Sequence, residues 1–209
     1  AAEAAPAMKR GALMTDVGST KLVLCQSLPR ILPSGVFYVP AHPMAGSERR
    51  GPAAAHENLF QGNVCILTPL DGTPDDVLGR ARALWAGVGS KIVEMTPQRH
   101  DELVAQISHV PHLVAAALVN AVSEEAMQLA GGGFAGVTRI AAGDPAMWRD
   151  IIETNAPNVL QALEALSIRI GEMQDAIRRG DFAGLESLLQ NAQIKRMTLD
   201  ERRTNAGGR

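Results

Sequence analysis

The sequence predicts an α/β domain built on a parallel sheet, followed by an all-helical domain. Up to about residue 96, short apolar runs alternate with helical stretches, which is typical of strands joined by crossover helices. After Pro97 the apolar residues recur instead at spacings of three and four, the period of one helical face. We therefore expect a partial Rossmann-like domain over 1–96, a helical domain over 97–198 and a loose polar tail over 199–209.

Composition and charge narrow the class of protein. The chain has 209 residues, 46% of them hydrophobic, which is enough for a sizeable core. Its net charge of -2 gives no electrostatic footprint for nucleic acid, and no run of 18 apolar residues indicates a membrane span. Cys25 and Cys65 both lie in apolar runs, so we interpret them as reduced core thiols of a cytoplasmic protein.

The first domain is predicted to contain two helices among its strands. Pro29 ends the first helix, and Thr73 or Asp75 caps the second, with Pro74 near its start. Apolar runs predict strands, and the stretches between them predict the helices: strands Ala12–Thr15, Val36–Val39, Val64–Leu67 and Lys91–Met95, with helices Thr20–Leu28 and Asp75–Ala86.

The second domain begins with a long amphipathic helix over 99–119. Pro111 lies inside it and is expected to kink it, because proline lacks the amide hydrogen of the helical ladder. Three consecutive glycines at 131–133 then break the chain. A helix restarts over Pro145–Glu153, with Asp144 as its expected N-cap.

The next helix carries a heptad-like apolar seam, which Gly180 ends before Asp181 caps a final helix. The seam serves either burial within one chain or packing against a second copy. A helical domain of about 100 residues with so long an apolar stripe often completes its core by dimerising, so we favour a homodimer. The seam residues step by three and four: Leu163, Leu166, Ile170, Met173 and Ile177.

Candidate site residues follow two of the predicted strands. In an open parallel sheet, ligands bind beyond the carboxyl ends of the strands. Gly18 permits a tight turn there, and Ser19 then lies near a helix N-terminus, where free amides favour polar or anionic ligands. His42 leaves the next strand and is expected at the same edge. By spacing alone, Ser19 is equally a simple helix cap and His42 equally a loop histidine.

Further candidates lie in the helical domain. His109 and His112 are three residues apart and share a helical face, but no third ligand is evident, so we predict no metal. Arg139 lies between apolar residues, as either a salt-bridge partner or a clamp for a carboxylate. The sequence has no Walker motif, no G-x-S-x-G elbow and no HExxH, which disfavours acyl transfer and P-loop chemistry.

A series of short motifs runs along nearly the whole chain. Each motif alone is weak evidence, but in this order and spacing the motifs resemble those of the prephenate/arogenate dehydrogenase family. The motifs are Thr15-Asp16-Val17-Gly18-Ser19-Thr20-Lys21, His42-Pro43-Met44-Ala45-Gly46-Ser47-Glu48, Leu67-Thr68-Pro69, His100-Asp101, Ser108-His109-Val110-Pro111-His112, Gly133-Phe134, Thr138-Arg139-Ile140-Ala141 and Met147-Trp148-Arg149-Asp150-Ile151.

The resemblance implies a dinucleotide-binding domain followed by a helical dimerisation domain. It implies oxidative decarboxylation of prephenate or arogenate in tyrosine biosynthesis, giving 4-hydroxyphenylpyruvate or tyrosine. His42 would take the proton of the ring C4 hydroxyl, and Ser19 would orient that hydroxyl, His42 and the nicotinamide. Arg139 would bind a substrate carboxylate, His112 would line the pocket, and Glu48 would belong to its polar rim. A non-catalytic dimerisation or regulatory fragment of such an enzyme is the alternative.

The cofactor implied by the resemblance is NAD or NADP. Asp16, Gly18 and Ser19 would contact it, and Ser47 would contact substrate. No G-x-G-x-x-G occurs in the sequence, since the glycines at 131–133 follow a helix rather than a strand. The resemblance places that phosphate-binding loop upstream of residue 1, so we expect weak NAD(P) binding by this chain alone.

Overall fold

The structure, a computed structural model, describes residues 1–45 and 55–207, with side chains through Leu199. The chain divides into two compact units, Ala1–Val159 and Leu160–Arg209. The first unit holds every strand of the described residues together with the helices that pack around them. An α/β fold followed by helices is thereby confirmed.

Two small sheets form the centre of the first unit. Strand β1 (Leu13–Met14) pairs in parallel with β2 (Phe37–Tyr38). In the second sheet β4 (Val64–Leu67) lies between β3 (Ala41–Pro43) and β5 (Lys91–Glu94) and runs parallel to β5. These parallel pairs agree with the predicted strands, and β4 has the predicted bounds.

The antiparallel pairing of β3 with β4 was not predicted. His42 pairs with Ile66 within it, so this histidine belongs to a strand and not to a loop. The three residues of β3 include a proline and give no alternating pattern from which a strand is recognised. Only their pairing partner, more than 20 residues further along the chain, makes them a strand.

Helix α1 (Leu22–Ser27) and α2 (Asp75–Gly87) cover the sheets. Pro29 does not stop the first helix abruptly, because a 3₁₀ turn over Leu28–Arg30 contains it. The predicted side-chain cap of α2 is wrong, since Pro74 occupies the N-cap position with no capping bond. The negative charges of Asp75 and Asp76 in the first turn interact favourably with the positive end of the helix dipole. The core between α2 and the strands consists of Val39, Ala41, Cys65, Leu67, Val77, Leu78, Ala81 and Trp85.

The predicted helix over 99–119 is continuous but irregular. It consists of α3 (Pro97–Val104), one π-helical turn (Ala105–His109) and α4 (Val110–Ala121). Pro111 has no amide hydrogen to offer the carbonyl of Ile107, and a wider turn directly before it accommodates that loss. The expected kink therefore takes the form of a π turn.

The run Pro97–Ala121 is long and apolar enough to cross a membrane, and 33% of its most apolar window is buried within the protein. Its buried polar residues, including His100 and Asp101, form hydrogen bonds within the first unit, as the core helix of a folded domain does. We therefore read this run as a core helix.

Shorter helices follow. They are α5 (Glu124–Gln128), α6 (Gly132–Thr138), a 3₁₀ turn (Arg139–Ala142) and α7 (Pro145–Thr154). The glycine run not only interrupts the chain but also begins α6, with Gly131 at its N-cap. Asp144 caps α7 as predicted, accepting a 2.7 Å hydrogen bond from the amide of Met147.

Two long helices complete the chain: α8 (Ala156–Arg179) and α9 (Phe182–Gly207). Gly180, with φ of +68°, ends α8, and Asp181 caps α9 through a 2.8 Å bond from the amide of Gly184. Both agree with the prediction. Helix α9 continues through Gly207 and so includes most of the predicted polar tail from residue 199.

Candidate active site

The loop after β1 is organised by Asp16. One carboxylate oxygen accepts hydrogen bonds from the Tyr38 hydroxyl at 2.9 Å and the Ala41 amide at 3.0 Å. The other accepts the Gly18 amide at 2.9 Å and the Lys21 ammonium. With both oxygens engaged, Asp16 ties the loop to β2 and to the start of β3.

Lys21 is the buried partner of Asp16, a role that was not predicted from the sequence, where Lys21 appears only at the end of a family motif. Its side chain has no exposed surface, and its ammonium also donates to the carbonyl of Ala41 at 2.8 Å. Burial lowers the pKa of Lys21, against the opposing effect of the Asp16 carboxylate. The pair fixes the backbone that leads into His42.

Gly18 and Ser19 lie in the loop that this pair holds. A Cβ at Gly18 would come within 3.0 Å of the Asp16 carboxylate and of Leu24, so this position has little room for a side chain. Ser19 is half-buried. The next residue, Thr20, forms a 2.9 Å hydroxyl–hydroxyl bond with Thr154 and so ties the loop to α7.

The N-terminus of α1 is not open as expected. Asp101 of α3 accepts the amide of Lys21 with one oxygen, at 2.8 Å, and the amide of Leu22 with the other, at 3.0 Å. These two amides are thus capped by a carboxylate of the same chain and are not free for a ligand. That Ser19 meets a polar or anionic ligand stays a prediction.

His42 is buried on β3, with 8% of its surface exposed. Its Nδ1 lies 2.8 Å from Nε2 of His100. Burial lowers the pKa of His42 to about 3, and positive charge on His100 or Lys21 would lower it in the same direction. The imidazole is consequently neutral at physiological pH.

His100 and Asp101 continue the line of contacts from His42. Nδ1 of the fully buried His100 lies 2.7 Å from the carboxylate of Asp101. Burial raises the pKa of that carboxyl, but hydrogen bonds from His100 and from the amides of Leu22 and Lys21 outweigh it and hold the pKa below its usual value. Asp101 is therefore ionised at neutral pH.

Asn155 connects this line to His109. Its side-chain amide donates to the backbone carbonyl of Asp101 at 2.8 Å and lies 3.2 Å from Nδ1 of His109. Burial lowers the pKa of His109 to about 4. Nε2 of His109 is buried without a hydrogen-bond partner.

His112 stacks on Trp148, with ring centroids 3.7 Å apart and planes 10° from parallel. His109 meets the same indole edge-on, at 6.2 Å. Burial lowers the pKa of His112, although a hydrogen bond to the backbone of Ile140 acts in the opposite direction. A Cβ at Gly143 would come within 2.5 Å of the indole and 3.1 Å of His112, so close packing there requires glycine.

Arg139 is exposed and immediately precedes Ile140, whose backbone forms a hydrogen bond with His112 of the His112–Trp148 stack. The described contacts thus lead from His42 to the segment that carries Arg139. The convergence of Ser19, His42 and Arg139 around one substrate remains a prediction. Ser47 and Glu48 lie outside the described residues.

Several residues of this network were not predicted from the sequence as site residues. His100 and Asp101 were noticed only as part of a family motif, and nothing local in the sequence indicates that both are buried. A histidine–aspartate pair on an otherwise amphipathic helix was the available signal. The missed residues are Lys21, His100, Asp101, Trp148 and Asn155. Among residues 1–45 and 55–207 no group of three His, Cys, Asp or Glu is arranged to hold a metal.

Two family models match the chain. "Prephenate dehydrogenase, nucleotide-binding domain" matches residues 1–94, and "Prephenate dehydrogenase, dimerization domain" matches residues 96–191. A cyclohexadienyl dehydrogenase of Zymomonas mobilis is 34% identical over 95% of this chain and 70% of its own length. The chain belongs to the prephenate dehydrogenase family.

Another relative within the family is the Bacillus subtilis prephenate dehydrogenase, 38% identical over 93% of this chain. The chain spans only 54% of that relative's length. Among solved structures, Aquifex aeolicus prephenate dehydrogenase in complex with hydroxyphenyl propionate and NAD+ superposes with a TM-score of 0.87. It is 35% identical, and the alignment covers 94% of this chain and 70% of that one.

Proposed function

We propose that this chain carries the catalytic and substrate-binding groups of a prephenate dehydrogenase. The reaction is the NAD(P)-dependent oxidative decarboxylation of prephenate to 4-hydroxyphenylpyruvate, a step of tyrosine biosynthesis. Membership of the family supports this proposal, and the observation that carries it is His42. His42 is a buried, neutral imidazole whose Nδ1 faces His100, and its other ring nitrogen, Nε2, is the atom that we propose takes the proton from substrate.

His42 acts as the general base. Prephenate loses hydride from C4 while its C4 hydroxyl gives its proton to a base, and loss of the C1 carboxylate as CO2 then makes the ring aromatic. Because aromatisation drives the second step, the protein has to supply one base, correct placement and a carboxylate clamp. Substrate carboxylates near His42 would raise its pKa from about 3 toward neutrality, where a base is most effective.

The remaining roles follow the family likeness. Ser19 orients the C4 hydroxyl, and its loop is fixed by Asp16 on one side and by Thr20 on the other. Arg139 clamps a carboxylate with its planar guanidinium. His112, supported by its stack on Trp148, lines the pocket near the substrate side chain. We propose polar contacts at the rim for Ser47 and Glu48.

The residues after β1 fit one end of a nicotinamide dinucleotide. Val17 is 63% exposed at the carboxyl end of this strand, where an apolar side chain offers a surface for a planar ring. Since both oxygens of Asp16 are engaged within the chain, Gly18 and Ser19 contact the cofactor and Asp16 holds their loop. When bound, the cofactor accepts the hydride from C4 of the substrate.

We also propose a homodimer formed through the helical domain, in a cytoplasmic enzyme. The family model for the second half of the chain is described as a dimerization domain. The aligned Aquifex aeolicus structure contains NAD+, which supports a nicotinamide dinucleotide as cofactor without deciding between NAD and NADP.

The direct test assays the complete gene product with prephenate and arogenate, each with NAD and NADP. We expect cofactor reduction with CO2 release from prephenate. Turnover of arogenate alone would reassign the substrate, and inactivity with all four combinations would contradict the proposed function.

We predict that His42→Asn lowers kcat by about 10²-fold or more, because it removes the general base. Asparagine places a side-chain amide near the position of Nδ1 and can still contact His100, so the fold and cofactor affinity should be retained. Steady-state kinetics and cofactor titration measure both. The control is His56→Asn at an exposed histidine. Unchanged turnover in His42→Asn would eliminate the proposed base.

A further inference from the structure

We propose that His100 is a positioning residue that fixes His42 in the tautomer with a proton on Nδ1 and a lone pair on Nε2. This inference rests on the proposed function, because it specifies which nitrogen of the base receives the substrate proton. Three consecutive contacts carry it, and all lie within the first compact unit.

The first step is the carboxylate of Asp101. The oxygen that lies 2.7 Å from Nδ1 of His100 also accepts the Lys21 amide, and the other oxygen accepts the Leu22 amide. These donors keep Asp101 ionised, and an ionised carboxylate can only accept hydrogen bonds. Nδ1 of His100 must therefore carry the proton in this contact.

The second step follows from the chemistry of imidazole. A neutral ring carries one N–H, so protonation of His100 at Nδ1 leaves its Nε2 as an acceptor. That Nε2 lies 2.8 Å from Nδ1 of His42. His42 must then donate from Nδ1, and its Nε2 holds the lone pair that takes a proton.

The third step links this line to the loop of the other predicted catalytic residue. By capping the amides of Lys21 and Leu22, Asp101 fixes the backbone that begins two residues after Ser19. Asn155 in turn holds the backbone carbonyl of Asp101 at 2.8 Å. A single residue of α3 thus sets both the Ser19 loop and, through His100, the orientation of His42.

This arrangement also accommodates the proton that His42 receives. The O–H bond of the substrate breaks, the N–H bond forms at Nε2, and His42 becomes an imidazolium that still donates from Nδ1 to His100. The negative charge of Asp101, one imidazole further away, stabilises the cation without taking up a proton itself. No further proton transfer is required for balance.

The decisive experiment determines tautomers directly. In the ¹⁵N-histidine-labelled chain at neutral pH, long-range ¹H–¹⁵N NMR spectra distinguish protonated from unprotonated ring nitrogens. We expect His42 and His100 both to be protonated on Nδ1 alone. An Nε2-protonated His42 or a His100 imidazolium would overturn the proposal. Because no turnover or cofactor is needed, this outcome is independent of the proposed function.

A matched pair of variants adds a kinetic readout. His100→Gln keeps an acceptor near the position of Nε2, whereas His100→Asn reaches only the position of Nδ1 and leaves Nδ1 of His42 without its acceptor. In the complete enzyme we expect the asparagine variant to lose about 10-fold or more in kcat with little change in KM. The glutamine variant should recover most of that loss.

His56→Asn serves as the surface control, and thermal unfolding checks that both His100 variants fold. Equal kcat values for the glutamine and asparagine variants would refute a positioning role even if both are impaired. If either variant does not fold, the tautomers of the unmodified chain still decide the proposal.

Discussion

Buried imidazoles dominate the behaviour of single residues in the first unit. Burial holds the pKa of His42 at about 3 and that of His109 at about 4, and it also lowers the pKa of His112. In the unfolded chain each would titrate near about 6.5. The folded state therefore binds fewer protons than the unfolded state at mildly acidic pH.

This difference predicts a loss of stability on acidification. Above about pH 6.5 these histidines are neutral in both states and contribute no pH dependence. As pH falls from about 6.5 toward about 4, these histidines become protonated in the unfolded state but remain neutral in the folded state, so the free energy of unfolding falls. His42 and His109 each add a slope approaching about 1.4 kcal/mol per pH unit. Urea unfolding at several pH values measures it.

The control variants separate the buried groups from the rest. His109→Gln should reduce the slope between about pH 6.5 and about pH 4, whereas His56→Gln, at an exposed position, should leave it unchanged. Asp101 and Glu94 have lowered pKa values, so they make stability depend on pH only at lower pH, where carboxylates become protonated. A stability that does not change over this interval would contradict the burial of neutral histidines.

At the scale of elements, α1 depends on a residue remote in sequence. The helix has six residues, and isolated helices of that length are not stable in water. Its first amides are satisfied by Asp101, about 80 residues further along the chain. By contrast, α7 is capped locally by Asp144 directly before it.

We predict that Asp101→Asn lowers the free energy of unfolding by about 1–3 kcal/mol. Both carboxylate oxygens of Asp101 accept hydrogen bonds from N–H groups, and in asparagine one of these oxygens is replaced by an NH2 group, which cannot accept. Asp144→Asn is the matched control. Asparagine is as good an N-cap as aspartate, so that variant should change stability by less than about 0.5 kcal/mol. Urea unfolding of both variants measures the difference, and equal effects would refute the buried cap.

At the scale of the whole molecule, the second unit presents apolar side chains to solvent in the single chain. Of the predicted seam, Ile170 is 47% and Ile177 is 55% exposed, while Leu163, Leu166 and Met173 are partly buried. Exposed apolar patches on this scale mark interaction sites. The other large apolar side chains exposed in this unit, among residues 160–199, are Leu160, Ile168, Phe182, Leu189, Ile194, Met197 and Leu199.

We predict that Ile170→Glu combined with Ile177→Glu converts a dimer into a monomer, because two charges would be buried at the seam without partners. Sedimentation over a range of concentrations reports the molecular mass. Glu164→Gln, at an exposed position outside the seam, is the control and should remain dimeric. A double variant that stays dimeric would place the interface elsewhere.

Several strands, helices and caps of this protein can be predicted from the chemistry of residues that are close together in the sequence. Alternating apolar runs gave β4 with its correct bounds, and α2 to within one residue. Capping chemistry located Asp144 and Asp181, and Gly180 marked the end of α8. These features depend on residues a few positions apart, so the sequence carries their signal directly.

Tertiary structure alone decided the strand β3, the cap of α1 and the partners of His42. His42 and His100 are 58 residues apart, and Lys21 and Asp101 are 80 apart. Such pairings depend on how the chain packs, since no periodicity or local propensity specifies which remote side chain reaches a given amide or imidazole. The sequence therefore indicated His42 and Ser19 as candidate site residues. The packing of α3 then brought in His100, which contacts His42, and Asp101, which caps the backbone after the Ser19 loop.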